Sequence, residues 1–355
     1  MKKLRLLIRR VPGLTAFLIL LVIRLLFSIW PGLFEIVYFK HFFPFLRTVQ
    51  SYLYPIWLVP GYLVLILLIL GITLWFFTKK KSWSQFFLRF FNMLFWLTAL
   101  FLLSFGMQYA DHGLAARLKL QAAPESIDLS MLYYETMEDA LKKRNKLYWK
   151  NDSLDITELE YRLNYDSLPK YVERKLLPVG YKAAAKDQSI REIPFYTLRK
   201  LSISGIYNPF TGESNVEGSL PILMKGFVAA HELAHASGIT GEGEANFAAW
   251  LSLGNCGDPY LEYAAAYIIW RQVAKPLNKK LSSKELEKLA ASIPIELRRD
   301  RRAIYLALNQ EQPWYPELSN QFNDTYLKIQ GVESGVDDYN KFLELYLRYQ
   351  LSINQ

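Results

Sequence analysis

Apolar residues crowd the first third of the chain into three stretches, Leu14 to Trp30, Ile56 to Phe77 and Phe86 to about Tyr109, each almost free of charge. A helix rises about 1.5 Å per residue, so each stretch can cross a hydrocarbon core of about 30 Å, the first only just. The pattern predicts three membrane-spanning helices. Arg24 and Arg89 are the charges inside them. Arg24 sits near the far end of its span, where a long side chain can reach the interface, so a structural role is expected rather than an ion pathway. A cleaved signal peptide is the competing reading of the first stretch. Arg24, the bulky run Phe27 to Trp30 and the lack of a small-residue cleavage site favour a retained span.

Past residue 110 the apolar positions recur at helical spacing. Ser130 to Trp149 and Ile156 to Leu177 are expected as helices. Between Phe195 and Val216 the apolar residues interleave with small ones and meet the turn composition Asn208-Pro209-Phe210-Thr211-Gly212, which predicts an extended strand or hairpin. Pro221 opens a helix that runs through His231 and stops at Gly238, and a second runs from near Gly241 to about Leu253. Asp258-Pro259 reads as a cap with proline at the first helical position, starting a third helix through Tyr263, Tyr267 and Trp270. Ser282 and Glu285 form a possible capping box, and Asp337 to Leu351 returns to helical spacing. The expected fold is an α-helical membrane anchor of three spans over residues 1–110, followed at 111–355 by a mainly α, α+β soluble domain.

The formal net charge of +9 raises the question of a nucleic-acid partner. Its distribution answers it: residues 1–110 hold 12 Lys/Arg and one acid, whereas residues 111–355 hold 30 Lys/Arg and 32 acids. Lys2, Lys3, Arg5, Arg9 and Arg10 precede the first span, and Lys79, Lys80 and Lys81 separate the second from the third. The loop from Pro31 to Pro55 carries only Lys40 and Arg47 against Glu35. Basic segments stay in the cytoplasm, so three spans leave everything after Tyr109 outside. The bilayer is an expected partner and nucleic acid is not. The single cysteine, Cys256, excludes an intrachain disulfide and a cysteine-rich metal site, and is expected as a small buried residue.

The chemistry concentrates in His231-Glu232-Leu233-Ala234-His235, with Glu242-Gly243-Glu244-Ala245-Asn246 beginning seven residues later. Four residues apart on a helix, the two histidines share a face and can bind one zinc ion, with Glu232 beside them as general base. A catalytic zinc takes three protein ligands. The chain's other histidines, His41 and His112, are poorly placed, so the third ligand is expected from Glu242 or Glu244. Asn246 lies one turn after Glu242, where its carbonyl can orient a ligand histidine, while Ala248 holds the equivalent position after Glu244. Glu242 is therefore the expected ligand, Asn246 its supporting neighbour and Glu244 the alternative. An oxyanion donor is expected among Tyr207, Tyr263, Tyr267, Tyr339 and Arg298, and the Ser204 to Tyr207 strand can align an extended substrate, with Tyr207 the candidate substrate-binding residue. Trp250 and Trp270 are expected in the core, and Glu213 and Asp324 as solvated acids.

An HExxH helix followed by a second helix with Glu, and a polar residue one turn later, resembles the gluzincin zinc peptidases. Asn246 stands where Asp is commoner, and the link Ala236 to Gly241 is shorter than in thermolysin-like enzymes. The metzincin pattern HExxHxxGxxH is met at Gly238 but fails at Gly241, which cannot bind metal. More broadly the chain resembles an uncharacterised bacterial family of membrane proteins, a domain of unknown function, in which three spans precede an HExxH domain. Gly205-Ile206-Tyr207-Asn208-Pro209-Phe210-Thr211-Gly212-Glu213, His231 to His235, Glu242 to Phe247 and Asn323 to Lys328 carry that resemblance. It implies an inner-membrane protein whose zincin-like domain faces the periplasm. The function expected is a membrane-anchored zinc metallopeptidase, with one Zn2+ per chain, that hydrolyses peptide or protein substrates outside the cytoplasm through a metal-activated water deprotonated by Glu232. The alternative is a non-catalytic membrane protein, stabilised by zinc, that binds a partner through its outer domain. A transporter is disfavoured, since three spans offer few intramembrane polar groups.

Overall fold

The computed structural model describes residues 11–53, 60–78, 82–122, 127–147, 162–181, 190–194, 196–201, 203–309 and 339–353. The chain is mostly helical with one small sheet and divides into two units.

The first unit holds the residues up to His112 together with Asn208–Glu213. The longer α-helices among its described residues are α1 (Pro12–Ile29), α2 (Phe43–Leu53), α3 (Gly61–Thr78) and α4 (Trp83–Ser104). Both α1 and α4 are long and apolar enough to cross a membrane, and only 11% of each is buried, which sets them apart from core helices of a soluble protein. α3 overlaps the second expected stretch. Gly13 brings α1 against α4: its N–H donates to Asn92 Oδ1 at 2.8 Å, and a side chain there would strike Asn92 and Trp96. The two arginines stack on aromatic rings, Arg24 at 5.7 Å from the Tyr109 centroid and Arg89 at 4.7 Å from that of Trp75.

The loop expected from Pro31 to Pro55 is instead helical over its described residues 31–53: a π-helical segment over Phe34–Phe42 leads into α2. Phe34, Tyr38, Phe39 and Phe43 are buried, and the Tyr38 hydroxyl donates to the Leu103 carbonyl at 2.7 Å. Aromatic burial orders this segment, and charge spacing alone carries no sign of it.

The second unit holds the remaining described residues. Helix α5 (Leu129–Arg144) is capped by Asp128, whose carboxylate accepts from the N–H groups of Ser130 and Met131. Its expected continuation to Trp149 ends early, at Asn145. Of the helix expected over 156–177, residues 156–161 lie outside the described residues, 162–167 are not helical, and α6 covers Leu168–Leu176. Just upstream, the Asn164 side chain accepts from the Asp166 N–H and Ser167 N–H bonds the Asn164 carbonyl, a turn that competes with helix.

Strands β1 (Ile190–Ile193), β2 (Gly205–Asn208) and β3 (Glu213–Glu217) form a sheet in the order β1-β3-β2. β1, absent from the sequence reading, pairs parallel with β3, while β2 and β3 make the expected hairpin and leave β2 at an edge. All five β3 residues are buried although four are polar. Glu217 is satisfied by the N–H groups of Leu198 and Ser219, both at 2.9 Å.

Among the described residues, the helices that follow the sheet are α7 (Ile222–Ala236), α8 (Glu242–Leu253), α9 (Pro259–Lys280), α10 (Ser283–Ser292), α11 (Ile295–Leu308) and α12 (Tyr339–Ile353). α5 lies along α9 and buries Tyr133 and Met137 with Tyr263, Tyr267 and Trp270. Large side chains like these contribute about 1.5–3 kcal/mol each on burial. Between α7 and α8 the opposite composition prevails: Ala229, Ala230, Ala234, Ala245, Ala248 and Ala249 are all buried. Small side chains let the two helices approach closely, which sets the spacing of the residues they carry.

Candidate metal centre

Helix α7 carries His231, Glu232 and His235, and Glu242 is the first residue of α8. The turn between the helices does more than connect them. Gly238 takes φ +110°, the Gly238 N–H bonds the His235 carbonyl at 3.0 Å, and the Ile239 N–H bonds the Ala234 carbonyl at 3.1 Å. That pair of bonds is a Schellman C-cap. It brings the Ile239 carbonyl to 2.7 Å from His235 Nδ1. A carbonyl only accepts, so Nδ1 carries the proton and Nε2 keeps its lone pair.

His231 is fixed by the same logic. Its Nδ1 lies 3.2 Å from Asn246 Oδ1, and Asn246 Nδ2 donates to the Glu242 carbonyl at 2.9 Å, which determines which way the amide faces. His231 Nε2 is thereby left as an acceptor, 3.1 Å from His235 Nε2. Two lone pairs facing each other at that distance repel unless a cation lies between them. Glu242 Oε2 is 3.2 Å from His231 Nε2, and Oε1 is 3.7 Å from His235 Nε2. Tetrahedral zinc with bonds of about 2.0–2.1 Å separates neighbouring ligand atoms by about 3.3–3.4 Å. The His231, His235, Glu242 set, all within 4.8 Å of one another, therefore fits zinc in donor chemistry and spacing.

The two imidazoles differ in their electrostatics. Burial drives His235 down to about 4, so this imidazole is neutral at physiological pH, as a metal ligand must be. In His231 burial pushes downward, but the hydrogen bond and charge of Glu242 prevail and raise it. Burial pushes the Glu232 carboxyl up to about 8, and a backbone hydrogen bond from Tyr207 offsets part of that. A divalent cation beside these groups would lower all three, opposing the upward shifts of His231 and Glu232 and adding to the downward shift of His235.

Glu232 lies against β2. A side chain at position 205 would meet the Glu232 carboxylate and Val228, so Gly205 alone permits the approach. Tyr207, on the same strand, is buried, while Ile206 between them is 43% exposed on the sheet edge.

Glu244 is turned away from the histidines. It accepts from the Leu114 N–H at 3.1 Å and lies 3.6 Å from Lys341 Nζ. The alternative ligand thus has a structural partner of its own. Two of the oxyanion candidates are also occupied elsewhere: Tyr263 donates to Asp300 at 2.6 Å, and Arg298 bonds the Ile293 carbonyl at 2.8 Å. Tyr267 is buried in the aromatic cluster beside Trp270, and the side chain of Tyr339 lies outside the described residues. Trp270 is fully buried, and Trp250 packs edge-on against Tyr346 at 4.8 Å, so both tryptophans belong to the packing. Cys256 is buried, as expected. Glu213, expected in solvent, is instead buried and bonded to the Gly61 N–H and the Thr211 hydroxyl, while Asp324 lies outside the described residues.

Ile239 is the contributor that sequence reasoning missed. Its role rests on a backbone carbonyl, and only Gly238, read as a helix stop, hinted at the turn that delivers it. No curated protein and no solved structure matches the chain. The model of a family described as protein of unknown function (DUF3810) matches residues 38–347, and the chain belongs to that family.

Proposed function

We propose that this chain is a membrane-anchored, zinc-dependent metallopeptidase with a gluzincin-like, zincin-type outer domain, cleaving peptide bonds outside the cytoplasm. The observation that carries the reading is the convergence of His231 Nε2, His235 Nε2 and the Glu242 carboxylate, with the buried Glu232 next to the first ligand. Zinc, when bound, would polarise the scissile carbonyl and lower the pKa of a nearby water. Glu232 would take the proton and return it to the leaving nitrogen. Ile239 and Asn246 hold the two imidazoles in the tautomer that keeps Nε2 free. The edge position of β2 suits backbone pairing with an extended substrate, and Tyr207 is the oxyanion or substrate-binding candidate retained.

A zinc-stapled, non-catalytic domain has no use for a buried carboxylate at Glu232, and that group separates the two readings. Glu232→Gln is expected to keep bound zinc and lose turnover by about 10²–10⁴-fold. Turnover equal to wild type would reject the peptidase reading.

The location proposed is a bacterial inner membrane, with α1, α3 and α4 spanning, the N-terminus cytoplasmic and the outer domain periplasmic. Loop charge supports it, and so does one contact: Arg47, between α1 and α3, donates to the Gly212 carbonyl at 3.0 Å. Residues on either side of this bond must share one side of the bilayer. If α3 did not cross, the segment after α4 would emerge on the wrong side for that bond.

A further inference from the structure

The sequence Gly205 to Glu213 has a role beyond lining the site, and its second half is explained by the first unit alone. We propose that Arg47 and Gln50 are positioning residues for the candidate site: they latch the tip of the β2–β3 hairpin and thereby fix the strand that lies against Glu232. This rests on the peptidase reading for its consequence in catalysis, and on the hydrogen bonds themselves for the latch.

Two polar side chains of α2, Arg47 and Gln50, are buried, at 3% and 8% exposure, and are spent on the hairpin tip. Arg47 Nη2 donates to the Gly212 carbonyl at 3.0 Å, and its Nη1 donates to Gln50 Oε1 at 3.0 Å. The Gln50 amide then donates to the Pro209 carbonyl at 2.7 Å and the Phe210 carbonyl at 3.2 Å. From the other side, the Glu213 carboxylate accepts from the Gly61 N–H at the start of α3, and from Thr211 Oγ1, both at 2.8 Å. Three carbonyls of one tight turn are thus bound by side chains 159 to 165 residues away in sequence.

The glycines on both sides of the latch show that it is built. Gly212 takes φ +79°, and a side chain there would run into Arg47 and Gln50. Gly61 would likewise strike Glu213, Thr211 and Asn208. Burying an arginine, a glutamine and a glutamate costs desolvation, which their mutual hydrogen bonds offset only while the turn is in place.

The same hairpin carries Gly205 at its other end, where the strand meets Glu232. A two-stranded hairpin is marginal by itself, and among the described residues β2 is an edge strand with a partner on one side only. Holding the tip restricts the edge that would pair with substrate. Loosening it leaves the ligands on α7 and α8 untouched but lets the strand wander. The effect expected is on substrate binding, with KM raised and zinc retained.

The test uses the full chain purified in dodecyl maltoside, as wild type, Arg47→Ala, Arg47→Lys and Gly212→Ala. Hydrogen–deuterium exchange over residues 203–217 is compared with that of α7 and α8, alongside zinc content and the KM and kcat for a labelled, unfolded casein. Arg47→Ala and Gly212→Ala, which attack the latch from opposite sides, should each speed exchange in the hairpin by about tenfold or more, with α7 and α8 unchanged. Zinc should stay bound, KM should rise with kcat nearly constant, and Arg47→Lys should recover part of the protection. Hairpin exchange equal to wild type in both variants would overturn the latch. Faster exchange with an unchanged KM would overturn its positioning role. A wild type that binds no zinc and cleaves nothing sinks the peptidase reading instead, and exchange alone then decides whether the latch exists.

Discussion

His235 donates its Nδ1–H to the Ile239 carbonyl only because Gly238, at φ +110°, turns the chain back over the end of α7. A residue with a Cβ is strained in that conformation, so Gly238→Ala should cost about 1–2 kcal/mol of stability and weaken zinc binding together with it. Asn246→Ala removes the partner of His231 Nδ1 and should lower zinc affinity about 10–100-fold, read by competition with a chelator; unchanged affinity would mean that the Asn246 bond plays no part in orienting the ring. At this scale the histidines and Glu242 were legible because helix periodicity and one short turn bring them together. The Asn246 carbonyl was legible for the same reason. The oxyanion candidates were not, because Tyr263 is claimed by Asp300, 37 residues away, and such tertiary partners leave no local trace.

The elements that sequence predicted best are those defined by their own ends. Ser282 and Glu285 form the capping box of α10, and Asp258 caps α9 through the N–H groups of Tyr260 and Leu261. The Ser282 hydroxyl and then its backbone N–H hold the Glu285 carboxyl below its ordinary value. A depressed carboxyl stabilises the fold fully above the unfolded value of about 4.3 and loses that contribution as pH falls through the folded value. The melting temperature of Glu285→Gln should therefore lie below wild type at neutral pH and converge with it in acid; a gap that persists in acid would rule out the charge as its source. By contrast, β1 and the helical connector over Phe34–Phe42 were illegible, since a four-residue strand and a π-helix owe their existence to the partners they meet. The same holds for the buried pair of Arg144 and Asp300, joined at 2.6 and 3.0 Å and ending α5 against α11. Asp300→Ala strands the guanidinium in the core and should cost about 3–5 kcal/mol in denaturant unfolding, where a loss below 1 kcal/mol would show the pair to be dispensable.

At the scale of the molecule, composition divides the chain in two. The excess of positive charge lies in residues 1–110, whereas 111–355 are slightly acidic. On the proposed topology this charge would orient the chain in the bilayer. What composition concealed is that Asn208–Glu213 belongs with the apolar unit, because the hydrogen bonds that hold it there run to Arg47, Gln50 and Gly61. A topology reporter fused after Gln355 should be active only outside the cytoplasm, and cytoplasmic activity would overturn the three-span arrangement. The central claim, that His231, His235 and Glu242 form a zinc site, is tested most directly by elemental analysis of the full chain purified in detergent, comparing wild type with His235→Ala, Glu242→Ala and Glu244→Ala. The geometry predicts about one zinc per chain, lost in His235→Ala and Glu242→Ala and kept in Glu244→Ala. A folded wild type that takes up no zinc, or zinc lost with Glu244 and kept without Glu242, would contradict it.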